Sequence, residues 1–158
     1  WEFVIAWKKE TAIDTDIVVT LGDVRELQKA KGAIHCGADL LMKRMGVTDD
    51  SLIKLVVAGA LGNFIDPENA RTLGMYPEIP LERIEFAGNL AGTGARMTLM
   101  SAEMREYAEK ISSKVKDYEL AADKDFQREY TNSLYFPHSD LSKYPETVEL
   151  LRRFGQKI

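Results

Sequence analysis

The sequence predicts an α/β fold: a mixed sheet with helices packed on it and a helical tail at the carboxyl end. Three observations carry this. Short runs rich in Val and Ile alternate with longer segments of helical periodicity, a glycine-rich turn follows two of those runs, and the final third is mostly helical in pattern. With 158 residues, 45% of them hydrophobic, the chain has the length for one compact domain with its own core and is short for two.

The elements follow in order. Phe3, Ile5 and Trp7 alternate with Glu2, Val4 and Ala6, a strand pattern. Ile17, Val18 and Val19 form its partner across the polar KKETAIDT connection. Thr20 with Asp23 three residues on resembles a capping box, although Glu is more usual there than Asp. From 24 to about 45, Leu27, Ala30, Ile34, Ala38, Leu41 and Met45 recur at helical spacing, and Gly46 is a natural stop. Residues 52–58 are Val-rich and too short for a good helix, so they read as a buried strand. Asp66-Pro67-Glu68 supplies the N-cap, the N1 proline and the first-turn acid of a short helix ending near Gly74. Another strand is expected at 83–87, a long helix from about 95 to 114, and a short strand at 118–120. Helices near 125–134 and 145–154 complete the tail. Two successive strand–helix units favour right-handed crossovers.

Charge and cysteine content exclude several classes. A formal charge of −4 argues against nucleic acid or an anionic membrane surface as the main partner. No apolar run approaches the roughly 20 residues of a membrane span, and nothing resembles a signal peptide. Cys36, the single cysteine, makes no internal disulfide and holds no iron–sulfur cluster by itself. The cytoplasm is the expected location. The chain opens on WEFVIAW, already in strand pattern and without an initiator methionine, and is read as a piece excised from a longer protein.

The stretch LVVAGALGNFIDPENA asks whether its glycine turn is only a connection or is built to hold something. A second turn, AGNLAG, resembles it. Each follows the carboxyl end of an expected strand, the edge where open α/β sheets bind ligands. Glycines there admit close backbone approach, and the N–H groups opening the next helix can face an anion. Strand-to-helix turns also need glycine for geometry alone, and neither turn matches the G-x-x-x-x-G-K-[ST] phosphate loop or G-x-G-x-x-G. The two readings stand side by side on spacing.

Together with LVVAGALGNFIDPENARTLGMYP, the runs IEFAGNLAGTGARMTLMS, DVRELQKAKGAIHCGADLL and ELAADKDFQREYTNSLYFPH resemble the carboxyl-terminal portion of reductive activators of corrinoid proteins. The resemblance covers nearly the whole chain, and GALGN-x-ID-P-E is its most specific part. It implies a ribonuclease-H-like subdomain of the acetate kinase, sugar kinase, chaperone and actin (ASKHA) superfamily. By that resemblance the first turn is the adenosine motif, so Gly59, Ala60, Leu61, Gly62 and Asn63 become nucleotide contacts. The helix from 24 is similar to the one bordering adenine and ribose in the chaperone ATPases, which makes Glu26, Lys29 and Lys31 further candidates. Two residues apart on a helix, Lys29 and Lys31 do not easily face one ligand. The turn 88–94 resembles the final strand-to-helix junction, which usually packs against the core, and ranks below the first.

The resemblance also implies ATP or ADP with Mg2+ as ligand, a [2Fe–2S] cluster in an upstream domain, and a corrinoid protein as partner, with homodimerisation left open. The superfamily's first phosphate loop and metal-holding acid lie in its amino-terminal half, so this chain reads as half of an ATP site with its hydrolytic residues elsewhere. Two rivals remain: a small-molecule phosphotransferase on the same scaffold, and a non-catalytic docking or dimerisation module.

Other residues have plainer readings. His35 and Cys36 are adjacent on a helix and point about 100° apart, so they cannot share a metal, and no metal site is expected. His138 reads as a cap or as solvent-exposed, and a Ser133–His138–Asp140 nucleophilic set lacks the glycine-flanked serine elbow. Met97, Met100, Met104, Ala108, Ile111 and Val115 form an apolar stripe expected to pack on the sheet, with a partner surface as the alternative. Phe126, Tyr130 and Leu134 read as core, and Asp49 and Asp50, in a turn before a strand, as a solvated helix cap.

Overall fold

The computed structural model describes residues 1–59, 62 and 64–156. Strand β1 (Glu2–Ala6) pairs antiparallel with β2 (Ile17–Thr20), which runs directly into helix α1 (Leu21–Met45). Strand β3 (Leu55–Ala58) leads to α2 (Pro67–Thr72), and β4 (Ile84–Gly88) returns parallel to β3 before α3 (Leu90–Met100). Helices α4 (Ala102–Ser112), α5 (Phe126–Ser133) and α6 (Pro145–Arg153) follow.

Local chemistry accounts for the helix boundaries. The Thr20 hydroxyl accepts from the Asp23 N–H at 3.2 Å, while the Thr20 N–H donates to Asp23 Oδ2 at 2.8 Å, so the capping box forms with Asp in place of Glu. Gly46 ends α1 in the left-handed region, φ 68°. Asp66 Oδ1 accepts from the Asn69 N–H at 2.8 Å and Pro67 takes the first turn of α2, where its missing N–H leaves no bond unmade.

The α/β class holds, with three local differences. The strands divide into two separate two-stranded ladders, one antiparallel and one parallel. Alternation identifies strands but not which ladder each joins. The long helix expected over 95–114 is two helices that meet at Ser101, whose extended backbone (φ −136°, ψ 126°) ends α3 and whose hydroxyl caps α4 by accepting from the Met104 N–H. The capping serine competes for the backbone bonds a continuous helix would use. A 3₁₀ turn, Leu120–Ala122, stands where a strand was expected at 118–120.

Burial reverses several expected faces. In α1 the buried positions are Lys31, Gly32, His35, Cys36 and Leu40, whereas Leu27, Ile34, Leu41 and Met45 are exposed. Phe3 and Ile5 of β1 and Trp7 just after it are exposed too, as are Met97, Met100 and Ile111 of the α3–α4 stripe and Val115 beyond α4. The inner face of α1 packs on α5 instead. There Phe126 and Tyr130 stack with ring centroids 5.8 Å apart and are half-buried. A cluster of Ala70, Met75 and Tyr76, flanked by Leu55, Val57, Ile65 and Ile84, holds α2 against the β3–β4 ladder.

Candidate functional site

The two glycine turns meet at the carboxyl ends of the parallel strands. Ala58 is opposite Gly88 in the ladder, and the Gly59 N–H donates to the Gly88 carbonyl at 2.8 Å. Both glycines take positive φ, 93° and 62°, which a side chain would strain. Among the described residues, a Cβ on Gly59 would meet nothing within 4 Å. Gly62 is buried, and a Cβ there would come within 3.0 Å of Val57 Cγ1 and 3.2 Å of Phe86 Cδ1. Of the two, Gly62 is therefore the glycine packed down on the ladder. Ala60, Leu61 and Asn63 lie outside the described residues. In the second turn the Asn89 side chain accepts from the Gly92 N–H at 2.9 Å and opens α3.

The candidates on α1 separate. Glu26 and Lys29 form an exposed ion pair at 2.7 Å. An exposed pair at this spacing is worth about 0.3–0.5 kcal/mol, so a ligand could displace it at little cost. Lys31, expected among the nucleotide contacts, is corrected: it is fully buried on the inner face, and its ammonium donates to the Pro137 carbonyl at 2.6 Å and less closely to that of Gly74. It ties α1 to two loops, a role its neighbours in sequence do not reveal.

Burial pulls the Lys31 ammonium down to about 8 from 10.5. A folded-state value below the unfolded one means the charged form costs stability while both states are protonated. That cost is relieved as pH rises from about 8 toward 10.5. The unfolding free energy of the wild type relative to Lys31→Met should therefore increase across that interval. A pH-independent difference in chemical denaturation would refute the account.

The remaining candidates resolve plainly. Ser133 Oγ donates to the Glu129 carbonyl at 2.7 Å, and His138 Nδ1 accepts from the Asp140 backbone N–H at 2.9 Å, so no nucleophile–base pair exists among them. His138 is buried, so of its two expected roles, cap or solvent-exposed side chain, the exposed one is corrected; it lies beside His35 with ring centroids 5.3 Å apart. Burial lowers its pKa to about 4, so it is neutral at pH 7. Burial also raises the Cys36 thiol to about 11, with Glu129, Asp39 and Asp123 adding to the effect, and keeps it unreactive. Asp49 is half-buried and its pKa is raised by that burial, unlike the solvated cap expected; Asp50 is exposed as anticipated. Sequence reading missed the meeting of His35 and His138, because only folding brings α1 to the loop after α5.

A parallel ladder with a glycine turn after each strand, each leading into a helix, defines an α/β domain whose carboxyl edge is the one where such folds bind ligands. Residues 1–148 match the family model for the C-terminal domain of RACo, the ASKHA domain, and the chain belongs to that family. Among solved structures it is similar to a reductive activator for corrinoid, iron-sulfur protein, with a TM-score of 0.83 and 30% identity over 92% of this chain and 23% of that one. The corrinoid activation enzyme RamQ of Eubacterium limosum is 37% identical over 85% of this chain. The [Co(II) methylated amine-specific corrinoid protein] reductase of Methanosarcina barkeri is 28% identical over 63%. The chain spans 23% and 18% of the lengths of those two relatives. Among the described residues, no helix is long and apolar enough to cross a membrane.

Proposed function

We propose that this chain is the nucleotide-reading part of an ATP-dependent reductive activator that returns Co(II) corrinoid proteins to Co(I). The observation that carries the reading is the paired glycine edge, Gly59 bonded to Gly88, in a chain of the RACo C-terminal family. Gly59 to Asn63 contact the adenosine, and Glu26 and Lys29 border it once their ion pair opens. Mg2+ and the hydrolytic residues belong to another part of the activator, as does the [2Fe–2S] cluster that supplies the electron. The described residues contain one cysteine, so the chain itself supplies no cluster ligand set.

Reduction of Co(II) corrinoid is unfavourable, and nucleotide can drive it only by binding two conformational states differently. The glycine edge senses the nucleotide in this scheme, and the movement is passed to the corrinoid protein. The exposed Met97 and Met100 suit an adaptable partner surface.

The test is an amide-resolved NMR titration with Mg-ATP. Shifts concentrated at Gly59, Gly62 and along 26–29 are the expected result. Unperturbed amides at millimolar nucleotide, repeated in the full-length activator, would refute the nucleotide assignment of this edge. Phosphoryl transfer to an acetate- or sugar-like acceptor would instead favour a kinase.

A further inference from the structure

A second site lies inside the fold, independent of the glycine edge. His35 and Asp39 are one turn apart on α1, and His138 comes from the loop after α5. One ligand atom from each falls within 4.8 Å of the others. His35 is 1% and His138 2% exposed, and the Nε2 atom of each has no hydrogen-bond partner among the described residues. His138 Nε2 without a partner and His35 Nε2 with only a long contact to the Asp39 carboxylate, both at such depth, require an explanation.

The surrounding bonds set the donors. Tyr144 donates its hydroxyl to the Tyr76 carbonyl at 3.0 Å, and so accepts from His35 Nδ1 at 3.3 Å. In the tautomer that this bond favours the proton is on Nδ1, and Nε2 presents a lone pair to the cluster. His35 Nε2 and Asp39 Oδ2 are 3.5 Å apart, close to the roughly 3.4 Å between two ligands on a tetrahedral cation with bonds of about 2.1 Å. Lys143 holds Asp39 Oδ2 at 2.8 Å, and a carboxylate has further lone pairs to offer. Asp39 also lines an open cavity of about 380 Å³ with Asp49, Glu129 and Lys143, so the carboxylate side of the cluster borders open space.

We propose that His35, Asp39 and His138 form a binding site for one divalent first-row transition cation of the zinc class. Two imidazoles and one carboxylate are the donors such ions prefer. The cation clips α1 to the loop carrying His138, across a separation in sequence long enough for the constraint to matter. Two groups oppose it. Lys143 competes for Asp39, and the Asp140 N–H on His138 Nδ1 keeps the proton of that ring on Nε2. Binding must move this proton to Nδ1 and release the Asp140 N–H, while His35 needs no change. The competing occupant is a water that accepts from His138 Nε2–H and donates to His35 and Asp39.

The chain has only two histidines, which makes the test clean. The protein, without a histidine tag, is loaded with Zn2+ and desalted, metal is counted per chain, and imidazole nitrogens are followed in long-range 1H–15N spectra. The expected result is one zinc per chain, with the His138 proton moved from Nε2 to Nδ1 and the His35 Nε2 resonance shifted. Asp39→Asn and His138→Gln, with folding checked by circular dichroism, should each weaken binding at least about 100-fold, beyond what loss of an outer-shell partner causes. An unretained metal, or imidazole spectra unchanged by Zn2+ with His138 still protonated on Nε2, would assign the space to water and overturn the proposal. The wild-type spectra decide this even if both variants fail to fold.

Discussion

Gly74→Ala is expected to destabilise the fold by about 2–5 kcal/mol, the sum of backbone strain and overpacking. Gly74 has φ 74°, where an L side chain is strained. A Cβ there would overlap the Pro137 carbonyl oxygen and come within 2.7 Å of its carbon. Both are backbone atoms, so no rotamer change relieves the contact. The same carbonyls of Gly74 and Pro137 receive the Lys31 ammonium, so displacing the loop also uncouples α1. Gly46→Ala is the control: its φ is 68° but among the described residues a Cβ there meets nothing within 4 Å, so only strain, about 1–2 kcal/mol, remains. Urea denaturation of both variants checks this. Equal losses would mean that the loop yields freely and the close approach is unimportant.

Tyr144→Ala should cost about 3–5 kcal/mol, in the range for emptying a buried aromatic site. Tyr144 is 1% exposed at the start of α6, against His35 and His138. Burial pushes its hydroxyl pKa far above the ordinary value, with Asp39, Asp49 and Glu78 reinforcing the effect, so it remains a donor throughout the stable pH range. Tyr144→Phe separates hydroxyl from ring. Removing the hydroxyl leaves the Tyr76 carbonyl and His35 Nδ1 buried without a partner, a loss of about 1–3 kcal/mol. A phenylalanine variant as stable as the wild type would show that these two bonds contribute nothing net.

Much of the secondary structure was readable from residues a few positions apart. Thr20 with Asp23, Asp66 with Pro67, and Gly46 each mark a boundary through bonds made within one turn, so no distant residue is needed to predict them. The break at Ser101 was missed because the apolar spacing of Met97, Met100 and Met104 continues across it, and a serine cap is visible only when its backbone is known to be extended. The glycine edge was half legible. GALGN marks a turn after a strand, but the bond from Gly59 to Gly88 joins residues whose partnership depends on the parallel pairing of β3 with β4.

The boundaries at Thr20, Gly46 and Asp66 and, through the longer motifs, the family are legible in the residues alone. Those properties rest on short-range hydrogen bonds, backbone propensity and residue identity. Which face of each element is covered depends on long-range packing. Periodicity places Leu27, Ile34 and Leu41 on one side of α1 and Lys31, His35 and Cys36 on another, and apolar character favours burying the first set. The fold buries the second, because Lys31 finds two loop carbonyls and His35 finds Tyr144, partners that satisfy polar groups otherwise costly to remove from water.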